Sequence, residues 1–194
     1  MFNWTCFFIC DGSNSNHTQA KTIQKLKSYS VKYRPDKTKI RHEIVSNTNT
    51  VKLHRVFSAP PERVFKAFID PDALVKWMAP HGFTAKVHHL DTQVGGTYKM
   101  SFCNFSTGSS HGFSGTYHEL VPNQLLRYTD QFDDPNLSGQ IEVMIQLKAV
   151  SVGTEVNITQ SGIPDVIPVE ACYLGWQESL QLLALLVNPE IPDQ

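Results

Sequence analysis

From about Thr48 onward, apolar and polar positions follow one another with a period that changes at a few defined places. Val51, Leu53, Arg55 and Phe57 are offset against Lys52, His54 and Val56, which is the two-residue period of a strand with one dry face. Ser58-Ala59-Pro60-Pro61-Glu62 then reads as a helix start, because proline is tolerated in a first turn whose N–H groups have no partner inside the helix. Val64, Phe65 and Phe68 follow on one face. Asp70-Pro71-Asp72 is expected to end that helix, and a second short one, Ala73-Leu74-Val75-Lys76-Trp77, closes at Ala79-Pro80-His81-Gly82, where proline and glycine break the pattern.

Period-two segments follow over 83–90, 97–105, 111–121, 125–132, 140–150 and 154–161. They are separated by Gly95-Gly96, Thr107-Gly108-Ser109-Ser110, Pro122-Asn123, Asp133-Asp134-Pro135-Asn136 and Val152-Gly153, each able to reverse the chain, so the spacing predicts an antiparallel meander. Ile141, Val143, Ile145 and Leu147 alternate with Glu142, Met144, Gln146 and Lys148, giving a sheet with one dry face that needs a cover. The cover is at the end of the chain. Val169, Cys172, Tyr173, Trp176, Leu180, Leu183 and Val187 recur at three- and four-residue steps between Pro168 and Pro189, an apolar stripe on a long helix. Leu174, Leu182, Leu185 and Leu186 widen that stripe, which fits either a dimer contact or deep burial.

A chain of 194 residues that is 41% hydrophobic can bury one good-sized core. We therefore read residues 48–188 as one domain, 1–47 as a basic, flexible leader and 189–194 as a tail. The formal net charge of -1 hides an asymmetry, because residues 1–50 hold eight lysines and arginines against three carboxylates, leaving the remainder acidic. An acidic main domain is a poor binder of nucleic acid. Cys6, Cys10, Cys103 and Cys172 form no C-x-x-C pair and are too few to staple a secreted scaffold, so a reducing, cytoplasmic setting is expected. The apolar opening Met1-Phe2-Asn3-Trp4-Thr5-Cys6-Phe7-Phe8-Ile9-Cys10 has no positive n-region, a short apolar run and no small-residue cleavage site after it, and the C-terminal apolar stretch is interrupted by Gln177, Glu178, Ser179 and Gln181, so neither a signal peptide nor a membrane span is expected.

Candidate chemistry is sparse. His88 and His89 are adjacent in an expected strand and so point to opposite faces, which prevents both from holding one metal ion, while Gly95-Gly96 suits a tight hairpin. Gly112-Phe113-Ser114-Gly115-Thr116 has its second glycine one position too early for a nucleophile elbow and lies in strand texture. No phosphate-cradling loop or dinucleotide fingerprint is present. His118, Arg127, Tyr128 and Asp130 qualify as general acids or bases only if they face a cavity. No catalytic, metal-binding or cofactor-binding set is assigned. What remains is a group of bulky side chains, Trp77, Met78, Phe83, Phe102, Phe113, Tyr128, Phe132, Tyr173 and Trp176, which would line a pocket for a small apolar ligand.

The order of strand, two short helices, six strands and long terminal helix is that of an α+β helix-grip fold, a curved antiparallel sheet of about seven strands wrapped around its C-terminal helix. Phe57-Ser58-Ala59-Pro60-Pro61-Glu62-Arg63-Val64-Phe65-Lys66-Ala67-Phe68, Asp70-Pro71-Asp72-Ala73-Leu74-Val75-Lys76-Trp77, Val94-Gly95-Gly96-Thr97-Tyr98, Gly115-Thr116-Tyr117 and Leu174-Gly175-Trp176-Gln177-Glu178-Ser179-Leu180 resemble the successive signatures of the SRPBCC (START and pollen-allergen-like) superfamily. Within it, the chain is similar to the branch related to the C-terminal domain of the activator of heat-shock protein 90 ATPase. The resemblance covers residues 48–188. It implies binding of a small hydrophobic or lipid-like molecule in an internal cavity. It also implies two alternatives: a protein-interaction module, with a chaperone or a second copy as partner, and a polyketide-type cyclase or dehydratase. The chaperone-stimulating N-terminal domain of the eukaryotic co-chaperone is not recognisable in residues 1–47.

Overall fold

In the computed structural model, residues 49–191 are described; the expected leader, residues 1–47, lies outside them. β1 (Thr50–Phe57) is followed by α1 (Pro61–Ile69) and α2 (Pro71–Trp77), then by β2 (Phe83–Leu90), β3 (Thr97–Asn104), β4 (Ser110–Val121), β5 (Leu125–Phe132), β6 (Ile141–Val150), β7 (Gly153–Ser161) and the long α3 (Val169–Val187). The seven strands form one antiparallel sheet in the order β1-β7-β6-β5-β4-β3-β2. The two short helices carry the chain from one edge of the sheet to the other, and a simple meander brings it back. The α+β helix-grip arrangement is thus the observed one.

The alternation in the sequence is the alternation in burial. Val51, Leu53 and Phe57 of β1 and Ile141, Val143, Ile145 and Leu147 of β6 are buried, while Lys52, His54, Glu142, Gln146 and Lys148 are exposed. Asp70 differs from expectation. It ends α1 through its own N–H, which donates to the Lys66 carbonyl, and also starts α2, its Oδ1 accepting from the N–H groups of Asp72 and Ala73 at 2.9 and 3.2 Å. Pro71 is therefore the first residue of α2 rather than part of a terminator, because an Asp N-cap followed by proline satisfies one set of orphan donors and omits another.

The sheet's concave side is covered by α3, whose substantial backbone contacts are with α1, α2 and β1. Three polar ties hold it there. Arg63 Nη1 donates to the carbonyls of Val187 and Pro189 at 3.2 Å each, satisfying acceptors at the helix end that have no partner within the helix. Ser179 Oγ donates to the Met78 carbonyl at 2.9 Å, and Glu178 Oε2 accepts from the His81 N–H at 3.2 Å. Small residues Ala171, Gly175 and Ser179 lie on the buried face of α3 beside Leu180, Leu183 and Val187. Leu174, Leu185 and Leu186 stay exposed. No described helix is long and apolar enough to cross a membrane.

Candidate functional site

Anchored on α1, α2 and β1, α3 leaves a partly open cavity of about 80 Å³ over the central strands. Six of the bulky side chains expected at a pocket meet here: Met78 after α2, Phe102 on β3, Phe113 on β4, Tyr128 and Phe132 on β5, and Trp176 on α3. Phe102 and Phe113 pack edge to face with centroids 5.0 Å apart. The Trp176 indole N–H donates to Gln160 Oε1 at 3.0 Å, which fixes the indole against β7.

The other three lie elsewhere. Trp77 is fully buried against Phe68 and donates its indole N–H to the Ala67 carbonyl at 2.8 Å, so it joins the two short helices. Phe83 begins β2, is half-buried and does not line the cavity. Tyr173 is 43% exposed, because α3 turns it outward one position beyond Cys172.

Five lining residues come from outside that set: Asp130, Ile141, Gln160, Cys172 and Ser179. Asp130 is the inward residue between Tyr128 and Phe132 on β5, and Gln160 follows buried Val156 and Ile158 in the inward phase of β7. A polar residue interrupting the apolar phase of a strand was the available sign for both. Of the other groups considered for acid or base chemistry, His118 is exposed and contacts Thr129 Oγ1 at 3.0 Å through Nε2, while Arg127 pairs with Glu142 at 3.2 Å and Glu119 at 3.6 Å. Among them, Asp130 and Tyr128 face the cavity.

Asp130 is set in a particular local arrangement. Tyr98 on β3, Gly115 on β4 and Asp130 on β5 are consecutive cross-strand neighbours. A Cβ on Gly115 would collide with the Thr129 carbonyl oxygen and the Tyr98 hydroxyl. With hydrogen there instead, the Tyr98 phenol crosses β4 and donates to both the Thr129 carbonyl, at 3.0 Å, and Asp130 Oδ1. Burial pushes the Asp130 carboxyl up to about 7, and the Tyr98 hydrogen bond pulls only partly the other way. Burial, then the nearby Asp130, raises the phenols of Tyr98, Tyr117 and Tyr128, which therefore remain neutral donors.

His88 of the β2–β3 hairpin serves the sheet. His88 Nε2 contacts Ser101 Oγ at 2.8 Å across the hairpin, at a bulge between Val87 and His89. Gly95 has φ 82°, and the Gly95 N–H and Gly96 carbonyl bond Tyr117 at 2.8 and 2.9 Å, so this stretch is a turn tied to β4. A larger, shallow depression of about 690 Å³ lies on the opposite face of the sheet, lined by Lys86, His88, Lys99, Ser101 and Asp133 among others. Among the described residues, no three ligating side chains converge on a metal-sized site.

Comparison with known proteins agrees with this architecture. No curated protein matches the chain. A crystal structure of a Chromobacterium violaceum protein is 55% identical, with a TM-score of 0.73, and the match covers 74% of this chain and 99% of that one. A Rhodobacter sphaeroides protein, 22% identical with a TM-score of 0.64, matches over 71% of this chain and 90% of its own, and shares the fold. So does a Staphylococcus epidermidis protein solved in solution, 18% identical with a TM-score of 0.64, over 75% and 93% of the two chains. The model of the family described as Activator of Hsp90 ATPase homolog 1-like protein matches residues 58–188, which runs from the residue after β1 to the end of α3, and the chain belongs to that family.

Proposed function

We propose that the domain binds a small, predominantly apolar molecule in the cavity between the sheet and α3. The observation that supports this most directly is the cavity itself. Its volume of about 80 Å³ is several times the roughly 10–15 Å³ that one water needs. Its wall is mostly aromatic and aliphatic, with Asp130, Gln160 and Ser179 as the polar exceptions, which is the composition of a ligand pocket with a few orienting groups. It is smaller than the roughly 150 Å³ that admits benzene, so the guest is a short-chain molecule or the end of a longer one.

The test is native mass spectrometry and calorimetry of the full chain with short-chain alcohols, amines and acids, beginning with butan-1-ol, beside the variant Ile141→Phe. Ile141 is 2% exposed and lines the cavity, so a phenyl ring there fills the space. Wild type is expected to take up at least one compound class and Ile141→Phe none, while staying folded at a cost of about 1–3 kcal/mol. Failure of every class to bind, or unchanged binding by Ile141→Phe, overturns the reading.

A further inference from the structure

Three features of the cavity, taken together, concern the charge of its guest. The first is an uncompensated acid. Asp130 presents its carboxyl at the wall, Tyr98 is its hydrogen-bond partner through Oδ1, and Oδ2 has none among the described residues. The second is that no described residue lining the cavity is lysine, arginine or histidine, and Arg127, the nearest basic residue along β5, is engaged by Glu119 and Glu142 outside. A carboxylate removed from water without a cation is costly, so a site that keeps one is poised for a cationic guest. The third is the wall around it. Phe102, Phe113, Tyr128, Phe132 and Trp176 supply five rings, whose faces carry the negative end of the aromatic quadrupole.

Resting on the container reading above, we propose that the cavity selects a cation: a short alkylammonium, or the protonated amine end of a longer amphiphile. Its nitrogen sits against Asp130 Oδ2 and its carbons against the aromatic rings. Gln160, whose Oε1 is already taken by Trp176, has its amide N–H₂ left to donate to a second polar atom of such a guest. An anionic guest such as a fatty-acid carboxylate meets the Asp130 carboxylate with no lysine, arginine or histidine among the described lining residues to offset the repulsion.

Three probes of equal length separate charge from shape: n-butylammonium, butan-1-ol and butyrate, each titrated at pH 8 into the full chain by calorimetry and by amide chemical shifts. The ammonium is expected to bind at least about tenfold more tightly than the alcohol, as for a charge-assisted contact inside an aromatic wall, and butyrate most weakly. Asp130→Asn is expected to remove the ammonium's advantage and leave the alcohol's affinity within about threefold, since an amide keeps the shape but not the charge. Equal or tighter binding of the alcohol or of butyrate by wild type overturns the proposal and leaves the container reading standing. So does an ammonium advantage that survives Asp130→Asn. Binding of none of the three overturns both. The ranking in the wild-type chain decides even if the variant does not fold.

Discussion

Trp77→Ala is expected to lower the free energy of unfolding by about 3–5 kcal/mol, a large part of the roughly 5–15 kcal/mol that holds a domain together. The side chain is fully buried, meets Phe68 edge-on at 4.9 Å and 76°, and donates to the Ala67 carbonyl in the last turn of α1. That carbonyl belongs to the set that a helix cannot satisfy internally. Truncation thus leaves a cavity and removes a helix-end partner in one step. Trp77→Phe, which keeps most of the volume, isolates the second effect and is expected to cost less. Urea unfolding checks both. A loss under about 1 kcal/mol in Trp77→Ala would show that α1 and α2 do not depend on this contact. Because Trp77 lies outside the cavity wall, Trp77→Phe should leave butan-1-ol binding unchanged.

A second large effect is expected with pH. The Asp130 carboxyl is pushed up to about 7 by burial in the folded chain, whereas an unfolded aspartate titrates near about 3.9. Between those values the folded state holds a proton that the unfolded state has released, so stability falls as pH rises through the interval. The contribution is complete below about pH 4 and gone above about pH 7. Each unit is worth about 1.4 kcal/mol, and Asp130 is partly accessible, so the total decline assigned to it is roughly 2–4 kcal/mol. Asp130→Asn cannot ionise and should lack that part of the decline, making it more stable than wild type at pH 8. The difference between the two urea-unfolding curves at pH 4.5, 6 and 7.5 isolates this group from the other titrating residues. Parallel pH dependence in both proteins would contradict the placement of the carboxyl.

The strands and helices were readable because each has one apolar face, and periods of two and of three to four residues are visible without coordinates. β6 is the clearest case, its four buried residues alternating with more accessible ones. Asp70 is ambiguous in sequence because Asp-Pro is equally at home after one helix and before another, and only the hydrogen bonds of its side chain distinguish them. The cavity was less legible. Phase along a strand says which face a residue takes but not whether the space above it is filled. Trp77 and Met78 are adjacent, yet one is structural core and the other cavity wall, a division set by where α3 docks. Asp130 is legible as a candidate acid but not as part of the wall, and Gln160 is a lone polar residue in the apolar phase of β7. Tyr173 continued the helical stripe on paper, but the buried face runs through Ala171, Gly175 and Ser179, whose small side chains carry little hydrophobic signal.

The phenol that spans β4 has a consequence for how sequences of this fold can diverge. Tyr98 reaches Asp130 only over a residue without a side chain, so that pairing depends on the glycine between them. A methyl group at the middle position meets the Thr129 carbonyl oxygen of β5 as well as the phenol, so replacing the tyrosine alone does not make room for it. Natural chains of this family that keep the tyrosine and the aspartate should accordingly keep the glycine between them, whereas the glycine can outlast the other two.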